Sequence, residues 1–522
     1  MTVPAQWRKN LVQTGLLLLL SCSFLPTHLS AQQAPDQPQT KPDAASALAV
    51  PETTFRSRTE LVLVPVVVRD KHGKHISGLT KEAFRLEEKG NEQTISLFEE
   101  IQTGIDDAPS QRLDRGYSNL PYDNSQRLRL TIMVLDLLNT SPLQRTDGRD
   151  QLITFLSKGL ARNQPVSLLC LTSKGLQLVH PFSSDTSVLI KSLRDLPLGP
   201  PRVAPGRNIV DSTLKQLREI AQAYTGIPGR KTMLFAAGDI PEPQLDADID
   251  HGIRSTVDTF QQTWKALSDA NISVYPVELL VAAFDPAYQT NRERSYERTL
   301  RQFAAATGGN LCLEAHEIIN CLAEAVEDSR SYYMLGFSVR PDDRKPGWRD
   351  LKVQVSGEHG HIRARDGFYY QESPSSGPKT VHDAETNALA SVLAYSALPM
   401  YVRVLPPAAA PTAPAASTPA RTKVEFLVTI PLSSIRIDPA NTNSLDLEIG
   451  AIALNRDSRE AGEFLHPVRG SPKPDVLQTF ARDGIMLKEK LELPPGTYDI
   501  RFMARDNTAG QIGTVVFPLE LK

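Results

Sequence analysis

The apolar stretch LRLTIMVLDLLNT, from Leu128 to Thr140, breaks off at Asp136 and turns polar at Asn139, Thr140 and Ser141. Such a run reads as a strand buried on both faces, and in open α/β sheets ligands gather at the carboxyl ends of strands of this kind. Around it, from Leu128 to about Ser329, buried runs alternate with amphipathic stretches. Strands are predicted at Leu130–Leu138, Val166–Thr172, Leu176–Pro181, Lys231–Ala237, Ile272–Val277 and Asn310–Leu313. Helices are predicted at Gly148–Leu160, Thr186–Leu196, Ile209–Tyr224, Ser255–Ala270, Arg292–Ala306 and Ile318–Ser329. This alternation implies a mostly parallel sheet covered by helices on both sides. The strand Leu176–Pro181 follows its neighbour through a tight turn at Ser173–Gly175 and is expected as one antiparallel edge.

On either side the period changes to that of strands. TELVLVPVVVRDKHGKHISGL gives a long β-branched strand with a polar turn at Asp70–Gly73, and Ala83–Glu99 reads as a hairpin around Lys89-Gly90. Residues 103–127 read as a loop. After Ser329, SYYMLGFSV, RDLKVQV, HIRAR and GFYY are short strands. Neither group can cover a face alone, so residues 55–102 are expected to pair with residues 331–371, with the α/β unit of residues 128–329 inserted between them. Residues 372–385 read as a linker, and residues 386–522 as an immunoglobulin-like β-sandwich that opens with a helix at Glu385–Tyr395 and carries a Pro/Ala loop at residues 406–420.

Composition adds the compartment. At 522 residues the chain exceeds one hydrophobic core. With 40% hydrophobic residues, 22% charged residues and a formal net charge of −3, it has no electrostatic footprint for nucleic acid or an anionic membrane. Residues 1–31 read as a secretory signal, with Arg8 and Lys9 before the run Leu16–Leu20 and small residues at Ser30 and Ala31. That run is short for a membrane span, and Leu20-Ser21-Cys22 is a poor lipoprotein cleavage site. Residues 32–54 read as a disordered leader. The mature protein is expected to be exported, periplasmic or extracellular. There an oxidising medium would permit a disulfide between Cys312 and Cys321, while Cys170 in VSLLCL reads as a buried apolar residue.

Five phrases then carry a resemblance: VPVVVRDKHGKHISGLTKEAF, IPGRKTMLFAAG, ISVYPVE, FAAATGG and EDSRSYYMLGFSV. In this order, over residues 55–371, the chain resembles the secreted von Willebrand factor A-related family of acidobacteria. The resemblance implies a von Willebrand A-like (Rossmann-like) α/β fold beside the β-sandwich elements. The parent fold often carries a metal-ion-dependent adhesion site: Asp-x-Ser-x-Ser after the first strand, a Thr from a later loop and an Asp after the fourth strand. Hard oxygen ligands of this kind suit magnesium.

This chain departs from that pattern. Leu138 stands for the first Ser and Thr140 for the second, Arg207 and Asn208 fall where the Thr would be, and Ala237-Gly238-Asp239 shifts the last acid by one. The candidate binding residues are therefore Asp136, Asn139, Thr140, Arg207 and Asp239, with Asp136 and Thr140 as what remains of a magnesium site that is degenerate in sequence. Arg207 would supply positive charge in place of the cation. The alternative reading of Asp136 is structural, a carboxylate that caps the next helix or satisfies loop amides.

Other near-motifs are incomplete. His316-Glu317-Ile318-Ile319-Asn320 lacks the second His of a zinc-protease helix. Asp246, Asp248 and Asp250 begin like a calcium loop, but His251 and Val257 occupy its glycine and glutamate positions. His359 and His361 flank a turn. There is no Gly-x-Ser-x-Gly elbow, phosphate loop or dinucleotide fingerprint. The expectation is a non-enzymatic exported protein, without a cofactor, that binds a protein or cell-surface component. The runner-up is a subunit of a surface or secretion assembly, with a hydrolase third.

Overall fold

The computed structural model describes residues 61–103, 116–121, 129–160, 164–199, 207–238, 240, 253–278, 292–312, 318–339, 345–357, 360–371, 378–406, 421–436 and 444–521. The expected signal, the leader and the Pro/Ala loop beyond Pro406 lie outside these residues, as do His316, Glu317 and His359 and the acidic loop around Asp248.

The described elements start with β1 (Leu61–Arg69), β2 (Phe84–Glu88), β3 (Asn91–Gln93), β4 (Leu97–Gln102) and a two-residue strand, β5 (Tyr117–Ser118). The α/β unit follows, with β6 (Leu130–Asp136), α1 (Pro142–Lys158), β7 (Val166–Thr172), β8 (Gly175–Ser183), α2 (Thr186–Arg194) and α3 (Arg207–Tyr224). It continues through β9 (Lys231–Ala237), α4 (Ile253–Asp269), β10 (Ile272–Glu278), α5 (Arg292–Thr307) and α6 (Ile318–Asp328). Then come β11 (Ser331–Ser338), β12 (Gly347–Val355), β13 (His361–Arg363), β14 (Gly367–Tyr370) and α7 (Pro378–Ala390). The last region holds β15 (Tyr401–Val404), β16 (Thr422–Ile430), β17 (Leu445–Asn455), β18 (Glu460–Gly470), α8 (Pro474–Asp483), β19 (Ile485–Leu493), β20 (Gly496–Asp506) and β21 (Gln511–Leu521).

The central sheet has the order β10-β9-β6-β7-β8, parallel except for β8 at its edge. β6 is buried at every residue and sits in the middle, as an apolar run without alternation requires. One face packs Leu214, Leu217 and Ile220 of α3 and Phe260 of α4, the other Leu152 and Phe155 of α1 and Leu322 of α6.

The flanking strands interleave into two four-stranded sheets, β13-β1-β11-β4 and β14-β12-β2-β3. β1 pairs with β11 from Leu61↔Ser338 to Val66↔Tyr333, and β12 with β2 from Leu351↔Glu88 to Val355↔Phe84. Between these sheets lie Val62, Val64, Val66, Leu86, Tyr333, Leu335, Phe337 and Phe368. Within the expected hairpin only β2 and β3 pair with each other, while β4 crosses to β11.

In the last region two sheets, β19-β16-β15-β5 and β18-β17-β20-β21, enclose a second β core around Phe426, Ile449 and Phe502. The outer face of the second sheet joins the α/β core through Ile452, Met503 and Ile512, which pack with Leu389 and Leu393 at the end of α7. Asn119 closes this joint: its amide donates to the carbonyls of Tyr395 (2.7 Å) and Leu398 (2.8 Å) and accepts from the Met400 amide (3.0 Å).

Several elements differ from the sequence reading, each for a local reason. Strand β6 stops at Asp136 instead of Leu138, because the Asp136 carboxylate turns the chain back. Helix α1 begins six residues before Gly148, at Pro142, where Ser141 and Gln144 form a reciprocal capping box. The strand expected at Asn310–Leu313 is, among the described residues, a single bridge from Cys312 to Val277. The 103–127 stretch contributes β5, and the expected linker is helical from Pro378. Strand β18 and helix α8 were not expected; β18 carries Pro467 and no regular alternation.

Candidate functional site

Asp136 ends β6 at the carboxyl edge of the central sheet and is fully buried. Its Oδ1 accepts the amides of Leu138 (2.8 Å) and Asn139 (3.1 Å), which is an Asx-type turn. Its Oδ2 accepts the side-chain amide of Asn139 at 2.6 Å, and the same nitrogen donates to Thr213 Oγ1 at 2.8 Å. Thr213 sits on α3 and donates in turn to the Ile209 carbonyl (3.0 Å). Thr140, also fully buried, donates its hydroxyl back to the Asp136 carbonyl. Three of the candidate residues, Asp136, Asn139 and Thr140, therefore meet, joined by Thr213, which sequence reading did not single out.

The other two candidates cannot be placed with them. Arg207 opens α3, but its side chain lies outside the described residues, and Asp239 lies outside them altogether. The cation found at this edge is Arg145, from the second turn of α1. It is buried and donates to the carbonyls of Leu137 (2.6 Å) and Leu198 (2.9 Å), tying the loop after β6 to the segment after α2.

These groups do not fit a magnesium ion. A cation there would need oxygens with open lone pairs, whereas the Asp136 carboxylate already accepts three N–H donors. Leu138 offers carbon where the pattern has an oxygen. At Gly238, a Cβ would come within 2.7 Å of the Asn139 carbonyl oxygen, so an aspartate there would collide with the turn. Among the described residues no group of three or more His, Cys, Asp or Glu is placed to hold a metal.

A second buried acid lies toward the amino end of the same sheet. Asp328, the last residue of α6, is 2.6 Å from Arg69 of β1 and 2.7 Å from Arg363 of β13, and it accepts the Tyr275 hydroxyl at 2.6 Å. Arg230, just before β9, donates to the Tyr275 hydroxyl (3.2 Å) and the Gly308 carbonyl (2.8 Å). Burial works to raise the Asp328 carboxyl, but Arg363, Arg230 and Arg69 outweigh it and hold the group below its ordinary value. A disulfide between Cys312 and Cys321, with Cα atoms 5.9 Å apart, ties α6 to the end of the strand layer. Cys170 is buried in β7, and burial together with the nearby Asp136 pushes its thiol up to about 12.

No family model matches the chain, and no curated protein sequence matches it. Solved structures that resemble part of it include these three. An aerotolerance-related membrane protein of Bacteroides fragilis is 14% identical, covering 38% of this chain and 98% of its own, with a TM-score of 0.26. Proximal thread matrix protein 1 of the mussel byssus is 13% identical over 38% of this chain and 48% of its own, with a TM-score of 0.25. The SpRpn10 VWA domain is 11% identical over 37% of this chain and 94% of its own, with a TM-score of 0.21. Likeness this slight carries no argument, so the α/β fold rests on the strand order and the helices described above. Among the described residues no helix is long and apolar enough to cross a membrane.

Proposed function

We propose that this chain is an exported, non-catalytic binding protein whose von Willebrand A-like α/β unit contacts a protein or cell-surface component through the carboxyl edge of its central sheet, without a metal. The flanking sheets and the C-terminal sandwich serve as scaffold. The observation that carries this reading is the closed turn at Asp136. It holds the loop after β6 through the amides of Leu138 and Asn139 and the side chain of Asn139, and that loop leads directly into the first turn of α1, where Leu143 stands 62% exposed. In this reading the exposed apolar side chain at the sheet's carboxyl edge is one that a partner would cover.

The test is capture of a partner from the native envelope fraction by the full mature chain, with and without chelator, and by Leu143→Asp. The reading expects the same band with and without EDTA, and its loss with Leu143→Asp. Capture abolished by EDTA would contradict the metal-free account, and capture unaffected by Leu143→Asp would remove the proposed face. Defined oligomers of the purified chain would favour the assembly-subunit reading instead.

A further inference from the structure

The outer face of the sheet β19-β16-β15-β5 should be polar throughout, since its inner face fills the sandwich core. Phe426 and Val428 point inward, so Leu427 and Thr429 point out. At one end of this face stand Lys423, Glu425, Lys490 and Glu492, as expected of a solvated sheet. At the other end the pattern fails. One cross-strand row reads Arg403, Leu427, Lys488 and the next reads Tyr401, Thr429, Met486, with Met486 49% exposed.

The short turn Leu432–Ser434 and the C-terminal turn of α8 rise beside these rows, and together they enclose an open cleft of about 490 Å³ with Leu432 and Phe480 in its wall. That volume lies within the range of small-molecule sites. Its charge is asymmetric. At the helix end Arg482 is tied to its neighbour Asp483 by two hydrogen bonds, 2.9 and 2.8 Å, so the pair is neutral beside the carbonyl end of α8. At the opposite end of the lining stands Arg403, which is exposed and makes no ion pair among the described residues.

We propose that this cleft binds an amphiphilic organic anion, a carboxylate on an apolar chain. The carboxylate sits at the Arg403 end, and the chain runs over Leu427 and Met486 toward Leu432 and Phe480. The orientation follows from the two ends: a carboxylate at the helix end would face backbone carbonyls, whereas at the strand end it meets an arginine fork. This site lies on the C-terminal sandwich and is independent of the proposed protein-binding edge.

The test uses octanoate, with octylamine and octanol as probes of the same chain length, titrated calorimetrically into the full mature chain. Saturable one-to-one binding of octanoate is expected, with octanol weaker and octylamine silent. Arg403→Gln should weaken octanoate by about tenfold, the scale of one charge-assisted hydrogen bond. Met486→Glu should abolish binding while thermal unfolding stays unchanged, which separates loss of the site from loss of the fold. Absence of saturable octanoate binding, equal binding of octylamine, or octanoate affinity unchanged in Arg403→Gln would overturn the proposal.

Discussion

Asp136 and Asp328 are both fully buried carboxylates beside the same sheet, yet they are answered by different chemistry. Among the described residues Asp136 accepts from neutral donors, two of them backbone amides within three residues and one the side chain of Asn139. Asp328 is met by Arg69, Arg363 and Tyr275, with Arg230 behind them. Neutral local donors can shape a loop but join little beyond it. Two cations from separate strands, Arg69 of β1 and Arg363 of β13, bind the flanking sheets to the α/β unit through this one acid, since a buried ion pair is costly to break by removing one partner. One aspartate therefore sets the form of an edge, and the other holds regions of the chain together that lie far apart in sequence.

The comparison breaks most visibly at Asp328. Asp328→Ala leaves Arg69 and Arg363 without their buried acid and should cost about 3–5 kcal/mol in urea unfolding. A loss below about 1 kcal/mol would show that the cluster does not clamp the flanking sheets. The same group gives a pH signature. Because its folded pKa is depressed, its stabilisation is complete above the ordinary aspartate value of 3.8 and is lost as pH falls through the lower folded value, a loss that Asp328→Asn should remove.

Asp136→Ala should be milder, about 2–3 kcal/mol, since it strands the amides of Leu138 and Asn139 rather than charges. Hydrogen exchange should quicken at those two amides and leave β1 and β11 protected. Exchange rising equally in the flanking sheets would contradict the local role.

Glu385 sharpens the contrast from the other direction. This carboxyl of α7 is buried 3.3 Å from Arg505 of β20, and burial, with the like charge of Glu448, raises it to about 7 against the pull of Arg505. A raised carboxyl means the folded state holds the proton more tightly. Stability should therefore decline as pH rises from the ordinary 4.5 to about 7 and level off above it, and Glu385→Gln should flatten that slope. The smallest effect is expected at the capping box: Ser141→Ala should cost about 1 kcal/mol, read from the urea midpoint.

The central strands were legible because their runs are apolar without interruption, and β6, β7, β9 and β10 appear within two residues of the expected bounds. The start of α1 was harder to see, because Pro142–Gly148 has no apolar period. The Ser-x-x-Gln box at Ser141–Gln144, with Pro142 at its second position, was the signal that could have found it. The turn at Asp136 was written in sequence as a carboxylate followed by Asn139, but Thr213 lies 74 residues away and announces nothing. The Asp328 cluster was invisible for the same reason: Arg69 and Arg363 come from strands on either side of the α/β unit, and no local pattern marks a charge that only the fold will bury. Asn119, in a stretch read as loop, acts on carbonyls more than 270 residues on.

The account rests on the claim that the Asp136 carboxylate serves the turn and not a cation. Calorimetric titration of magnesium and manganese into the full mature chain and into Asp136→Ala tests this directly. The expected result is no saturable heat from either protein. Saturable heat from the wild type that disappears in Asp136→Ala would contradict the account.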